Sequence, residues 1–140
     1  MEVILGTPDG TDAQQEFFMA CYDRLRELYP GGVYDKLPPA NTAYPFIYVA
    51  DAGKTGGMTK TAPLGRIRQE FRAWHDNRDK RGTLSTMIGM CIEVGGTITA
   101  TDHYFYQFKD SDCTITTDGS VTPALLMGTA SISVQYTRRH

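Results

Sequence analysis

Residues 65–75 read GRIRQEFRAWH, and the alternation in that run decides the fold class. In an extended chain successive side chains point to opposite faces. Ile67, Phe71 and Ala73 therefore share one face with Gln69, while Arg66, Arg68, Glu70, Arg72 and Trp74 share the other. This predicts a strand starting near Gly65, with one face on a core and a second, basic face toward water or a polar partner.

Working outward from that strand, a polar turn at residues 75–82 leads to Leu84, Met87, Ile88, Cys91 and Ile92. Their steps of three and one predict a helix from about Thr83 to Val94, ended by Gly95-Gly96. Beyond it, Tyr104, Tyr106 and Phe108 alternate with Phe105 and Gln107. Residues 114–117 follow, then Asp118-Gly119, a hairpin signal. Leu126, Ala130, Ile132, Val134 and Tyr136 alternate with Thr129, Ser131, Ser133 and Gln135, which predicts a half-buried strand.

On the N-terminal side, residues 51–64 hold three glycines and no apolar periodicity, and they read as a long loop. Before them, residues 44–50 (YPFIYVA) read as a short strand with Pro45 at its first position or on an edge, and residues 33–44 as an extended connector. Phe17, Cys21, Leu25 and Leu28, widened by Phe18 and Tyr22, give a helix from about Thr11 to Tyr29. Thr11 is placed to cap it, with Gln14 as the return half of a capping box, and Pro30-Gly31-Gly32 stops it. The order helix, two strands, helix, two or three strands predicts an α+β fold. It is a single antiparallel or mixed β-sheet of about four to five strands, with two α-helices packed on one face.

The whole chain of 140 residues is the size of one domain. Its 41% hydrophobic and 21% charged residues and net charge of −2 exclude a strongly charged disordered chain and a generally basic nucleic-acid binder. Cys21, Cys91 and Cys113 cannot all pair, and no two have zinc-type spacing, so they read as reduced thiols of a reducing cytoplasm. The start MEVILGTPDG has no basic stretch of a signal peptide, and no apolar run nears the roughly 20 residues needed to cross a bilayer.

Motifs that carry chemistry are weak. Gly53-Lys54-Thr55 lacks the glycine five residues before the lysine that a phosphate-binding loop needs, because Val49 stands there, and no helix follows. His75-Asp76 and Asp102-His103 are strand neighbours whose side chains diverge, and His140 is terminal. Cys21 and Cys91 lie on apolar helix stripes, where a thiol is inert. These observations point to no enzyme, no metal and no cofactor. Charge is more informative. Residues 66–81 carry six basic and three acidic side chains, a local +3 in a chain that is otherwise −5. Arg66, Arg68 and Arg72 are thus candidates for meeting phosphates or a carboxylate-lined partner. Tyr29, Tyr34, Tyr44 and Tyr48, with Phe46, supply a second candidate surface of the kind enriched at interfaces.

The run PGGVYDKLPP at residues 30–39, followed by TAYPFI at residues 42–47, resembles the tail terminator (tail completion) proteins of long-tailed siphophages of Gram-positive hosts. In that family a first helix ends in a GVYDKLP-like turn. A YPF strand, a TK-containing loop, a strand ending near Trp, an RG turn and a helix follow. The counterparts here are Tyr44-Pro45-Phe46, Thr59-Lys60, Trp74, Arg81-Gly82 and the helix at 83–94, an order that spans residues 11 to about 94.

The resemblance implies a homo-oligomeric ring, usually a hexamer, that closes the finished end of the tail tube, stops tube polymerisation and offers a surface to the head-completion protein. It implies the major tail tube protein as the other partner and transient, non-specific passage of phage DNA. The location implied is the head-proximal end of the virion tail, after assembly in the host bacterial cytoplasm and with no membrane step. In that scheme Lys54, Thr55, Met58 and Lys60 belong to a loop that grips the tube. Arg66, Arg68 and Arg72 line the channel or face a partner. Tyr34, Asp35, Tyr44 and Tyr48, with the polar face of the last strand, are candidates for contacts between subunits. The runner-up is another head–tail connector or adaptor that binds one protein partner, with a small-molecule enzyme in reserve.

Overall fold

The computed structural model describes residues 12–58, 63–119 and 124–139. The elements run α1 (Ala13–Leu28), β1 (Val33–Tyr34), β2 (Phe46–Met58), β3 (Pro63–His75), α2 (Arg81–Thr97), β4 (Tyr104–Asp118) and β5 (Leu125–Arg138). The five strands form one sheet in the order β1-β2-β3-β5-β4. β1 is parallel to β2 and every other pair is antiparallel, so the sheet is mixed, one of the two forms expected from the sequence.

The central strand is built as its alternation requires. Ile67, Gln69, Phe71 and Ala73 are fully buried on one face of β3. In register with them on β5 stand Val134, Ile132, Ala130 and Gly128. Both helices cover this face. Phe17, Cys21 and Leu25 of α1 and Leu84, Met87, Ile88 and Cys91 of α2 join the strand residues in one core cluster. Leu28, read as the last member of the α1 stripe, is 44% exposed, because the helix ends there and the chain turns away.

Four readings change. The N-cap is Asp12, whose carboxylate accepts from the Gln15 N–H at 2.8 Å, and Thr11 lies outside the described residues. Gly95 and Gly96 do not end α2, which continues to Thr97. A Cβ on Gly95 would meet Ile132 Cδ1 at 1.9 Å, and one on Gly128 would meet Ile88 at 2.7 Å. These glycines let α2 approach β5 closely instead of breaking the helix. Residues 104–118 form one strand, with a register shift between Phe108 and Asp110.

The fourth change concerns residues 51–64. Residues 51–58 continue β2, and β3 begins at Pro63, the two pairing out to Met58 opposite Pro63. The pairing uses the backbone ladder, which needs no apolar alternation. A register shift between Val49 and Ala52 adds a bulge. Two side chains catch the carbonyls it displaces. Gln69 Nε2 donates to Ala50 O at 2.9 Å, and Gln14 Nε2 donates to Ala52 O at 3.1 Å.

Candidate functional site

Among the described residues no helix covers the second face of the sheet, and its three long central and edge strands present three columns of different chemistry. On β3 the column is Arg66, Arg68, Glu70, Arg72 and Trp74, with Arg66 and Arg68 exposed. Opposite them on β5 stand Gln135, Ser133, Ser131, Thr129 and Met127. Beyond these on β4, Asp110 pairs in register with Ser133, Asp112 with Ser131 and Thr114 with Thr129. The face thus grades from basic on β3 through neutral hydroxyls on β5 to acidic on β4.

The basic column is partly engaged within the sheet. Arg68 Nη2 donates to Ser131 Oγ at 3.1 Å, and Arg72 Nε donates to Glu70 Oε2 at 2.9 Å. At these exposures each such pair contributes little to stability, about 0–1 kcal/mol. What they do is fix the side chains of Arg68 and Arg72 on the open face.

One end of the face is aromatic. Phe46 packs against Trp74, Tyr44 and Tyr34, with ring centroids 5.3, 5.4 and 5.7 Å away. Leu37, Pro38 and Pro39 close a small cavity of about 130 Å³ over Phe46 and Trp74. Tyr29 reaches the same end, its hydroxyl donating to Pro45 O at 2.8 Å. A larger groove of about 360 Å³ runs beside β2 under α1, lined by Gln14, Phe18, Asp35 and Tyr48 among others.

The structure therefore brings together most of the residues singled out from the sequence, in two groups. Arg66, Arg68 and Arg72 share the open face. Tyr34 and Tyr48 are register partners, Tyr44 stacks on Phe46, and Asp35 joins Tyr48 in the groove. Lys54, Thr55 and Met58 stand in β2 opposite Ile67, Arg66 and Pro63, so they belong to a strand and not to a loop. Lys60 lies outside the described residues. The polar face of β5 is flanked on both sides by β3 and β4, which makes it the middle of the open face and not an edge.

The histidines differ from expectation. His75 Nδ1 comes within 3.3 Å of Asp76 Oδ1, because Asp76 lies past the end of β3 and is not bound by strand alternation. His103 meets a residue 87 positions away. Its Nδ1 is 2.6 Å from Glu16 Oε2, and its backbone N–H donates to Glu16 Oε1 at 3.1 Å. Thr101 Oγ1 also donates to Glu16 Oε1, at 2.6 Å. Burial pushes the Glu16 carboxyl up, but the bonds from Thr101 and His103 outweigh it and hold the carboxyl below its ordinary range. Beside this network the Tyr106 hydroxyl donates to Ala13 O at 2.7 Å, and burial raises its pKa. The cluster ties the start of α1 to the start of β4. Thr101 and His103 both bond the carboxylate, and the arrangement clamps the two elements together.

The thiols sort by burial. Cys21 and Cys91 are fully buried and Cys113 is exposed on β4. Burial pushes the Cys91 thiol up to about 12. Among the described residues no group of three or more His, Cys, Asp and Glu could hold a metal ion, and no helix is long and apolar enough to cross a membrane.

No family model matches the sequence, and no curated protein matches it. Among solved structures, the fold is similar to that of a chain in the virion of a native gene transfer agent (GTA) particle. The TM-score is 0.59 at 12% sequence identity, over 88% of this chain and 94% of that one. At that identity the likeness is one of fold, extending over nearly the whole of both chains.

Proposed function

We propose that this chain is a structural virion protein that caps the end of a phage-type tail tube as a closed ring, stops tube polymerisation and presents the surface to which the head joins. The observation that carries the reading is the shared fold with a chain of a gene transfer agent virion, over almost the full length of both. It agrees with the order of short motifs between residues 30 and 94 that resembles the tail terminator family.

A ring requires a head-to-tail contact between two different surfaces of each subunit. Tyr34, Asp35, Tyr44 and Tyr48, gathered on and beside β1 and β2, supply one of them. The number of subunits is six, as in the family the chain resembles. Lys54, Thr55 and Met58 in the distal part of the β2–β3 pair, together with Lys60, which lies outside the described residues, grip the tube. The open face with Arg66, Arg68 and Arg72 lines the passage for DNA. Internal partners on Arg68 and Arg72 suit that task. A lining whose cations are already shared holds phosphates weakly and lets them pass, whereas each fully made phosphate contact adds to retention.

The test is electron microscopy of virions carrying a gold-labelled version of the chain. The reading expects one label site per particle, at the junction of head and tail. Label along the tube shaft, on the capsid shell or absent from purified virions overturns it.

A further inference from the structure

The two edges of the sheet are complementary. β1 pairs only with Ile47 and Tyr48, so beyond Tyr48 the outer side of β2 has no strand partner among the described residues. Gln69 and Gln14 hold the Ala50 and Ala52 carbonyls, which leaves residues 53–58 as the open run. At the other edge, the outer side of β4 is engaged at its start, where Tyr106 N–H donates to Thr99 O and Thr101 N–H to Tyr104 O. Further along, Arg81 donates to Ile115 O at 3.1 Å. Between these points a bulge at Phe108/Asp110 interrupts the strand, and residues 111–114 after it are exposed. An unpaired edge is a ready template for another strand.

Direction and charge select the occupant. β2 is antiparallel to β3, β3 to β5 and β5 to β4, so β2 and β4 run in opposite directions. A second copy turned about an axis along the strands therefore lays its β4 antiparallel beside β2 of the first. This contact joins two different surfaces, repeats, and closes into a ring when the rotation closes. On the open face, Arg68 and Arg66 stand opposite Gly53 and Thr55. Arg68 bonds Ser131 on the β5 side, so Arg66, opposite Thr55, is the cation of the column that faces an incoming strand. An incoming β4 lies two strand spacings from β3, about 10 Å. Arginine and aspartate side chains together cover that span. The acidic column of β4, Asp110 and Asp112, is exposed on the same face.

The geometry points to an edge-to-edge contact between copies of this chain. Residues 111–114 of β4 from one copy add antiparallel to residues 53–56 of β2 in the next, with Cys113 opposite Lys54 and Asp112 beside Thr55, facing Arg66. This rests on the ring-forming reading, and it moves Lys54 and Thr55 from the tube contact to the seam between subunits, where the β2 edge takes the place of the tyrosine surface.

The exposed native Cys113 provides the probe. It lies opposite Ala130 on the helix side of the sheet, as do the register positions of Lys54 opposite Ile67 and Gly56 opposite Gly65. Facing residues of an antiparallel pair are about 4.5–5.5 Å apart at Cα, within the range of about 4.4–6.8 Å that a disulfide spans. Lys54→Cys and Gly56→Cys are each oxidised in the presence of Cys113, at the highest soluble concentration. The expected result, for at least one of them, is a non-reducing ladder of dimers, trimers and larger species that Cys113→Ser abolishes. Two results overturn the contact. One is no ladder from either variant, whether light scattering finds oligomers or monomers. The other is a product that stops at dimer and also forms in the wild type, which means β4 pairs with β4. A ladder combined with tails of normal length in a strain lacking the gene would sink the tail-capping reading and leave the contact standing. Overlong tails with no ladder would do the reverse.

Discussion

Glu16→Gln keeps the shape of a side chain at the junction of α1 and β4 and removes its charge. In the wild type the carboxylate takes hydrogen bonds from Thr101 Oγ1 at 2.6 Å and from the His103 backbone at 3.1 Å, and its other oxygen is 2.6 Å from His103 Nδ1. Its side chain is only 11% exposed. A hydrogen bond to an ionised group is worth about 1.5–3 kcal/mol, against about 0.5–1.5 kcal/mol for a neutral one. The His103 side chain is 44% exposed, and solvent screening discounts its share. The expected loss at neutral pH is therefore about 1–2 kcal/mol, roughly 5 °C in melting temperature for a chain of this size. Glu16 also sits in the first turn of α1, where a negative charge favours the helix. The pH dependence has a definite sign. The folded carboxyl titrates below its ordinary value. Its contribution is thus fully present above the unfolded value of about 4.3 and is lost as pH falls through the folded one. Thermal melts of wild type and Glu16→Gln across this range should show a gap at neutral pH that closes in acid. Equal stability at neutral pH, or a gap unchanged in strong acid, would refute the charge-assisted clamp.

Three further outcomes are expected. Gly89 and Gly95 are both in α2, but a Cβ on Gly89 meets nothing within 4 Å while one on Gly95 runs into Ile132. Gly89→Ala should raise stability by about 0.5–1 kcal/mol through helix propensity. Gly95→Ala should lower it by about 1–2 kcal/mol despite the same gain, because Ile132 is fully buried and has to move. Chemical denaturation checks both, and the same sign for the two variants would contradict the close approach of α2 to β5. A thiol reagent should titrate Cys113 alone in the native protein, and Cys21 and Cys91 only after denaturant is added. Fast labelling of all three would contradict the packing of α1 and α2 on the sheet. Arg66→Gln, Arg68→Gln and Arg72→Gln combined should leave the melting temperature within a few degrees, since their pairs are worth about 0–1 kcal/mol each, while altering DNA ejection or ring assembly. Normal infectivity of virions carrying the triple variant would remove the channel role of the basic column.

The elements that were legible in the sequence are those whose side chains record their own burial. β3 and β5 alternate residue by residue, and the stripe of α2 steps through Leu84, Met87, Ile88 and Cys91, all buried as expected. The distal half of β2 left no such record. Its glycines, threonine and lysine pair through the backbone, and the bulge at residues 49–52 depends on Gln14 and Gln69 from other elements. Gly95 read as a stop because its actual partner, Ile132, is distant in sequence. The Glu16–His103 clamp joins residues 87 apart, so no local spacing announced it. For the candidate surface, the arginine column was visible as a strand face. The acidic column facing it on β4 was hidden by the shift at Phe108/Asp110, which sets which side Asp110 and Asp112 take.

Tail length tests the central claim most directly. Particles from a strain whose copy of this gene is deleted are imaged by electron microscopy, and the lengths of their tail tubes are measured against wild type. A ring that caps the finished tube predicts overlong, headless tails in the deletion and a return to one fixed length when the gene is supplied in trans. Tails of normal length in the deletion strain would contradict it.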